Sequence, residues 1–194
     1  MLGRLFSDDV IELEVGGADF LLRLASRGDY LNWRRARAEN HAFLQPYEPV
    51  WAEDALDEDR YRMMVRDARR AFRYQSGAVM FLIHKDEGEV IGGINLSNVR
   101  RRVAQMGTLG YWMSESWGGQ GRMTRAVERM VRFAFYDFNL HRIEAGCIPD
   151  NEASARVLLN AGFREEGYAE KYLRINGAWQ DHRLFGITRP EDDL

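Results

Sequence analysis

The stretch WGGQGRMTRAV, Trp117–Val127, decides how this chain reads. Gly118, Gly119 and Gly121 stand directly before a run with helical spacing. Glycine loses more backbone freedom on ordering than any other residue, so glycines clustered here need a reason. The preceding run GTLGYWM (Gly107–Met113) predicts a strand. A strand, a glycine turn and a helix in that order aim successive backbone N–H groups at one point, and the helix N-terminus adds partial positive charge. The arrangement predicts an anion site for phosphate or pyrophosphate at Gly118, Gly119, Gln120, Gly121 and Arg122. Two nucleotide-binding patterns do not fit. A P-loop needs a lysine after its glycines, and Arg122 and Met123 stand there instead. GGQGRM also lacks the G-x-G-x-x-G spacing of a dinucleotide fold.

On both sides of this stretch, short strands and helices alternate. Ile11–Val15 and Phe20–Leu24 alternate as strands do, and Ser26–Asn40 turns helical with Tyr30, Trp33 and Ala36 in register. FLQPYEPVW (Phe43–Trp51) holds two prolines and predicts a loop; Leu56–Tyr74 predicts a charged amphipathic helix. Ala78–His84 and Glu89–Ser97 predict strands around a KDEG turn, and Asn98–Met106 predicts a polar connection. After the glycines come a helix over Arg122–Phe138 and a strand over His141–Ile148. The next helix is capped by Asp150 or Asn151 and stops near Gly162. Strands over Phe163–Ile175 and Trp179–Ile187 flank a turn at Asn176–Gly177. The order is mixed α/β, and one domain over residues 1–194 is expected at this length.

Composition excludes several classes. A net charge of −3 gives no general pull toward nucleic acid or membranes. Arginine supplies nearly all the positive charge, with Lys85 and Lys171 the lysines. The lone Cys147 rules out an internal disulfide. Asp8, Asp9, Glu12, Glu14 and Asp19 make the N-terminus unlike a signal peptide, and the apolar run Ala78–Ile83 is too short to span a bilayer. A cytoplasmic protein without a membrane partner is expected. No His, Cys or Asp cluster has metal-ligand spacing.

The segment GYWMSESWGGQGRMTRAV, followed by NLHRIEAGCIPDNEASARVLLNAGF and EGYAEKYLRINGAWQDH, resembles the GNAT acyl-CoA N-acyltransferases. It is most similar to the RimJ/RimL branch, which acetylates the N-termini of ribosomal proteins. The resemblance runs over Arg23–Ile187 and is densest from Gly110 onward; FLQPYEP is also similar to that branch. It implies a mixed, mostly antiparallel sheet of six to seven strands with about four flanking helices, splayed at an acyl-CoA cleft. Main-chain groups near Trp112 and Met113 would then meet the pantetheine amides of acetyl-CoA, and Gly118–Thr124, with Met123, would hold the pyrophosphate. The family loop is often Q/R-x-x-G-x-G/A, whereas here Gly118 and Met123 occupy its ends. A long polar side chain is therefore lost, and the backbone donors remain.

Acetyl transfer to an amine needs a neutral amine, a polarised thioester, orientation and a proton for the leaving thiolate. The resemblance sets Asn151 and Ser154 beside the CoA sulfur, where Ser154 would relay a proton. Helix capping alone also explains that pair. Many family members place a tyrosine four residues beyond this serine; here Leu158 stands there. Glu144 is the first candidate base, with Glu115 and Glu170 behind it. Asp181-His182 suits a structural role. The acceptor would lie among the early helix, FLQPYEPVW and the Asn176–Trp179 turn, with Trp33, Phe43, Tyr47 and Trp51 as lining or as core. Arg100–Arg102 would be a solvated hairpin tip or would touch an acidic partner or RNA, and no direct readout of nucleic acid is expected.

By the resemblance, the acceptor is a protein N-terminus, an alanine of a small-subunit ribosomal protein, attacked directly in a ternary complex. Two alternatives stay open: a small amine such as an antibiotic or a polyamine, and acyl-CoA binding without turnover. Monomer and homodimer both remain open.

Overall fold

Alternating apolar residues build the sheet from its first edge. The computed structural model describes residues 11–190, so Asp8 and Asp9 lie outside the described residues. Strands β1 (Glu12–Glu14), β2 (Phe20–Leu24), β3 (Ala78–His84), β4 (Val90–Arg100) and β5 (Met106–Met113) pair antiparallel in sequence order. Helices cover both faces of β3, so its residues divide by parity. Met80 and Leu82 join the larger core, and Phe81 and Ile83 join a smaller one with Tyr61 and Val65. Those two residues come from α3 (Glu58–Arg73), whose apolar stripe also includes Ala68 and Phe72. Helix α4 (Arg122–Tyr136) seals the larger core with Met130, Phe133 and Ala134, all buried.

The chain then crosses over through α4 and returns as β6 (Arg142–Cys147), parallel to β5. Helix α5 (Glu152–Asn160) follows, and β7 (Arg164–Ile175) and β8 (Ala178–Thr188) close the sheet in the order β1-β2-β3-β4-β5-β6-β8-β7. Gly162, at φ 91°, ends α5 in the left-handed conformation expected of it. Asn176 and Gly177, at φ 46° and 82°, form the tight turn between β7 and β8.

The sheet has eight strands where six or seven were expected, because the three-residue β1 pairs with β2 and counts as a strand of its own. Five α-helices replace about four. After α1 (Tyr30–Glu39), the predicted loop begins with a one-turn helix α2 (His41–Leu44) and a 3-10 turn at Gln45–Tyr47. Pro46 sits at the start of that turn, where no backbone N–H is needed. The expected connection at Asn98–Met106 is shorter, since β4 runs on to Arg100 past an irregularity after Ser97. Arg100, Arg101 and Arg102 are exposed at this hairpin tip as expected, and Arg101 also donates to the carbonyls of Phe138 and Gln75. Among the described residues, no helix is long and apolar enough to cross a membrane.

Candidate active site

The sheet splits at β5 and β6. These strands pair only from Met106–Thr108 to Arg142–Glu144. Beyond that, β5 stays with β4 as far as Met113, while β6 stays with β8 as far as Cys147. A wedge-shaped gap opens between Leu109–Met113 and Ala145–Cys147. Ser114 N–H donates to the Ile91 carbonyl on β4, so strand alternation turns the backbone groups of Trp112 toward β4 as well. Those of Leu109, Tyr111 and Met113 face the gap. Of the two residues named from the sequence, Met113 turns its main-chain groups to the gap and Trp112 turns its own to β4. An extended chain bearing amides can add to such an edge as a strand would.

At the wide end lies the glycine loop. Gly119 and Gly121 take φ 75° and 72°, conformations costly for any residue with a Cβ, and a Cβ at either would meet nothing within 4 Å. Gly121 is the N-cap of α4 and brings no capping side chain, so the first-turn N–H groups of Arg122, Met123 and Thr124 have no partner in the helix. The open space and the uncapped helix end coincide with the place where the sequence predicts an anion site. The Met123 side chain is buried in the core, which accounts for its place in the loop pattern. The Arg122 guanidinium is engaged elsewhere: its Nε lies 3.0 and 3.1 Å from the two Asp19 carboxylate oxygens, and it rests over the Trp117 ring. That hydrogen bond holds the Asp19 carboxyl below its ordinary pKa. Arg122 also fixes the Gln120 side chain at 2.7 Å. Arg125 donates to the Gly16 carbonyl. Both guanidiniums thus have partners within the protein.

On the β6 side of the open gap, α5 begins beside Tyr111. Asn151 caps the helix, its Oδ1 accepting from Ser154 N–H at 3.0 Å. The Ser154 hydroxyl lies 2.8 Å from the Tyr111 hydroxyl, which also donates to the Ser154 carbonyl. Burial pushes the Tyr111 phenol far above its usual pKa, with the Ser154 hydrogen bond opposing, so the ring stays protonated. Burial likewise raises the Cys147 thiol, which disfavours the thiolate a nucleophile needs. Leu158 is fully buried. The contact between Tyr111 and Ser154 had no signature in sequence spacing, because 43 residues separate them.

Glu144 lies where the gap begins, paired across β5 with Thr108. Its Oε1 accepts from Arg142 Nε at 3.0 Å, and Arg142 also grips Glu166. Glu115 contributes its N–H to Asn40 Oδ1, and Glu170 is exposed. Asp181 is occupied by the Tyr168 hydroxyl and the Lys171 N–H, bracing the irregular part of β7, and His182 is buried at 3% exposure.

Over the Trp112 face of β5 sits an aromatic and arginine stack. Arg37 of α1 lies between the rings of Trp51 and Trp112, 4.3 and 4.8 Å from their centroids. Its guanidinium forks onto Glu48, which also accepts from Trp51 Nε1 at 2.8 Å. The β7–β8 turn docks here through Asn176 N–H to the Glu48 carbonyl. Trp33, Pro49, Val50 and Trp51 line a shallow pocket of 210 Å³ beside the stack. Trp33 also packs on Tyr61 in the smaller core, while Phe43 and Tyr47 are each 41% exposed.

A strand pair that parts over a bare helix N-terminus is the geometry of a fold that takes in a phosphate-bearing, amide-rich arm. The profile of the acetyltransferase (GNAT) domain matches residues 19–164, and the chain belongs to the GNAT acetyltransferase family. It is 36% identical to the [ribosomal protein uS5]-alanine N-acetyltransferase of Escherichia coli strain K12 over 161 residues, 82% of this chain and 83% of that protein. The ribosomal-protein-S5-alanine acetyltransferase of Vibrio fischeri superposes with a TM-score of 0.86 at 32% identity, covering 95% of this chain and 98% of that one. Mycobacterium smegmatis RimJ, in complex with CoA-disulfide, superposes at 0.83 with 31% identity, covering 95% and 88%. The fold and the enzyme class expected from the sequence both hold, and the gap and glycine loop suit CoA.

Proposed function

We propose that residues 1–194 form one catalytic domain that transfers the acetyl group of acetyl-CoA to the N-terminal α-amine of a ribosomal protein, an alanine of the small-subunit protein uS5. The observation that carries this reading is the gap between β5 and β6, which ends on the uncapped α4 at one side and on Ser154–Tyr111 at the other. The relatives named above supply the acceptor.

Residues of the chain would act as follows. Gly118, Gly119, Gln120 and Gly121, with the first-turn N–H groups of Arg122, Met123 and Thr124, hold the pyrophosphate through the backbone. Met113 and Tyr111 offer main-chain groups to the pantetheine amides, and a backbone N–H of this strand polarises the thioester carbonyl. The amine attacks that carbonyl directly while both substrates are bound. Ser154 relays a proton to the departing thiolate, recovering its own from the water that takes the amine's proton, and is held in place by Tyr111 and the Asn151 cap. Water takes the proton from the amine. An α-amine has a pKa of roughly 7.7–8.0, so on the order of a tenth is already neutral near pH 7. Glu144 serves as an ion-pair partner of Arg142 in this reading.

The pocket on the acceptor side favours a peptide over a polyamine or a cationic antibiotic. Its carboxylate, Glu48, is already neutralised by Arg37. Mass spectrometry tests the reading with a peptide bearing a free N-terminal alanine and no lysine, set against one with a blocked N-terminus and a lysine. Acetylation of the first alone supports it. Acetylation of the lysine peptide, or of neither, overturns it.

A further inference from the structure

The outer face of α3 carries a second charged feature, remote in sequence from the residues of the gap. A groove of 610 Å³ is lined by Arg27, Arg66, Arg69, Arg70, Arg73 and Tyr74. Most arginines near the sheet are matched with acids: Arg23 with Asp29, Arg37 with Glu48, Arg122 with Asp19, Arg142 with Glu166 and Arg183 with Glu165. In the groove only Arg66 has such a partner, Asp67 at 3.1 Å. Arg27, Arg69, Arg70 and Arg73 have no carboxylate partner among the described residues. A chain of net charge −3 does not leave four guanidiniums together as a by-product of overall basicity. The helix dipole favours cations in the last turn and accounts for Arg70 and Arg73. It does not account for Arg27, which comes from a separate turn before α1.

We propose that this groove binds the phosphate backbone of RNA without reading its sequence. Arg66, Arg69, Arg70 and Arg73 recur at i, i+3, i+4 and i+7 and form one stripe, spanning about 10 Å along the helix. Guanidinium forks match phosphate oxygens, and phosphate contacts fix position without carrying sequence information. Tyr74 ends the stripe with its side chain 70% exposed, a platform on which an unpaired base stacks. An acidic peptide would satisfy the charges and leave that ring unused. This proposal is independent of the transfer reaction.

Fluorescence anisotropy with a labelled, mixed-sequence, single-stranded RNA of about 20 nucleotides tests it. Binding is expected at about 50 mM salt and should weaken as salt rises. The variant Arg69→Glu/Arg70→Glu/Arg73→Glu should bind at least about tenfold more weakly, with a salt slope reduced by about 2. Tyr74→Ala should weaken binding, and Arg164→Glu, on the exposed start of β7, should leave it unchanged. Circular dichroism and acetyl-CoA affinity report whether each variant folds, and Arg27→Ala and Arg73→Ala serve singly if the triple variant does not. The proposal is overturned by no binding at low salt, by equal losses in Arg164→Glu, or by displacement of the RNA by polyglutamate at equal charge.

Discussion

The Tyr111 hydroxyl lies 2.8 Å from Ser154 Oγ, joining β5 to the first turn of α5 at the mouth of the gap. The contact gives a serine, a weak acid alone, a fixed orientation and a protonated neighbour. Ser154→Ala should lower kcat by about tenfold or more and leave KM for acetyl-CoA within about twofold. Tyr111→Phe should lower kcat by less, since the hydroxyl remains but its direction is freed. Steady-state kinetics on both variants check this; an unchanged kcat in Ser154→Ala removes the serine from the mechanism.

Gly121 separates stability from binding. A Cβ there meets nothing within 4 Å, but φ is 72°. Gly121→Ala should therefore cost about 1 kcal/mol of stability from backbone strain alone. It should also weaken acetyl-CoA by several-fold, because the new methyl projects into the open space of the loop. Chemical denaturation and calorimetric titration read the two effects separately.

The Asp19–Arg122 pair should give an acid-dependent stability term. The folded Asp19 carboxyl has its pKa lowered by the Arg122 hydrogen bond, from an ordinary value of 3.8. Its contribution is thus fully present above that value and is lost as pH falls through the lower, folded one. The Asp19 side chain is 39% exposed and solvent screens the pair, so the term is no more than about 1 kcal/mol. Denaturation of wild type and Asp19→Ala should show a constant difference from pH 7 down to about 4, narrowing below it. A difference that widens in acid contradicts the assignment.

Two neighbouring arginines should behave differently. Arg101 caps the carbonyls of Phe138 and Gln75, whereas Arg102 is exposed. Arg101→Ala should destabilise by about 1–3 kcal/mol, and Arg102→Ala by less than about 0.5 kcal/mol, by thermal melts.

What the sequence made legible follows from the range of the forces involved. Local rules act within a few residues, and these read correctly: the glycine turn into α4, the Asn151 cap, the Gly162 stop and the Asn176–Gly177 turn. Pro46 misled because a proline early in a helical turn looks like a loop breaker, whereas Pro49 lies in irregular backbone as expected. Pairings over long separations had no local signature. Asp19 is 103 residues from Arg122, and Tyr111 is 43 from Ser154. One trace of the second was available: GTLGYWM places Tyr111 on the same strand face as Leu109 and Met113, toward the larger core. The engagement of Glu144 by Arg142, two residues earlier on the same face, was also within reach of strand alternation.

The central claim is direct transfer from acetyl-CoA in the gap to an N-terminal amine. Initial rates with acetyl-CoA varied against a free-N-terminal alanine peptide test it most directly. The account predicts double-reciprocal lines that intersect, as a ternary complex requires. Parallel lines would signal a covalent acetyl-enzyme and contradict it.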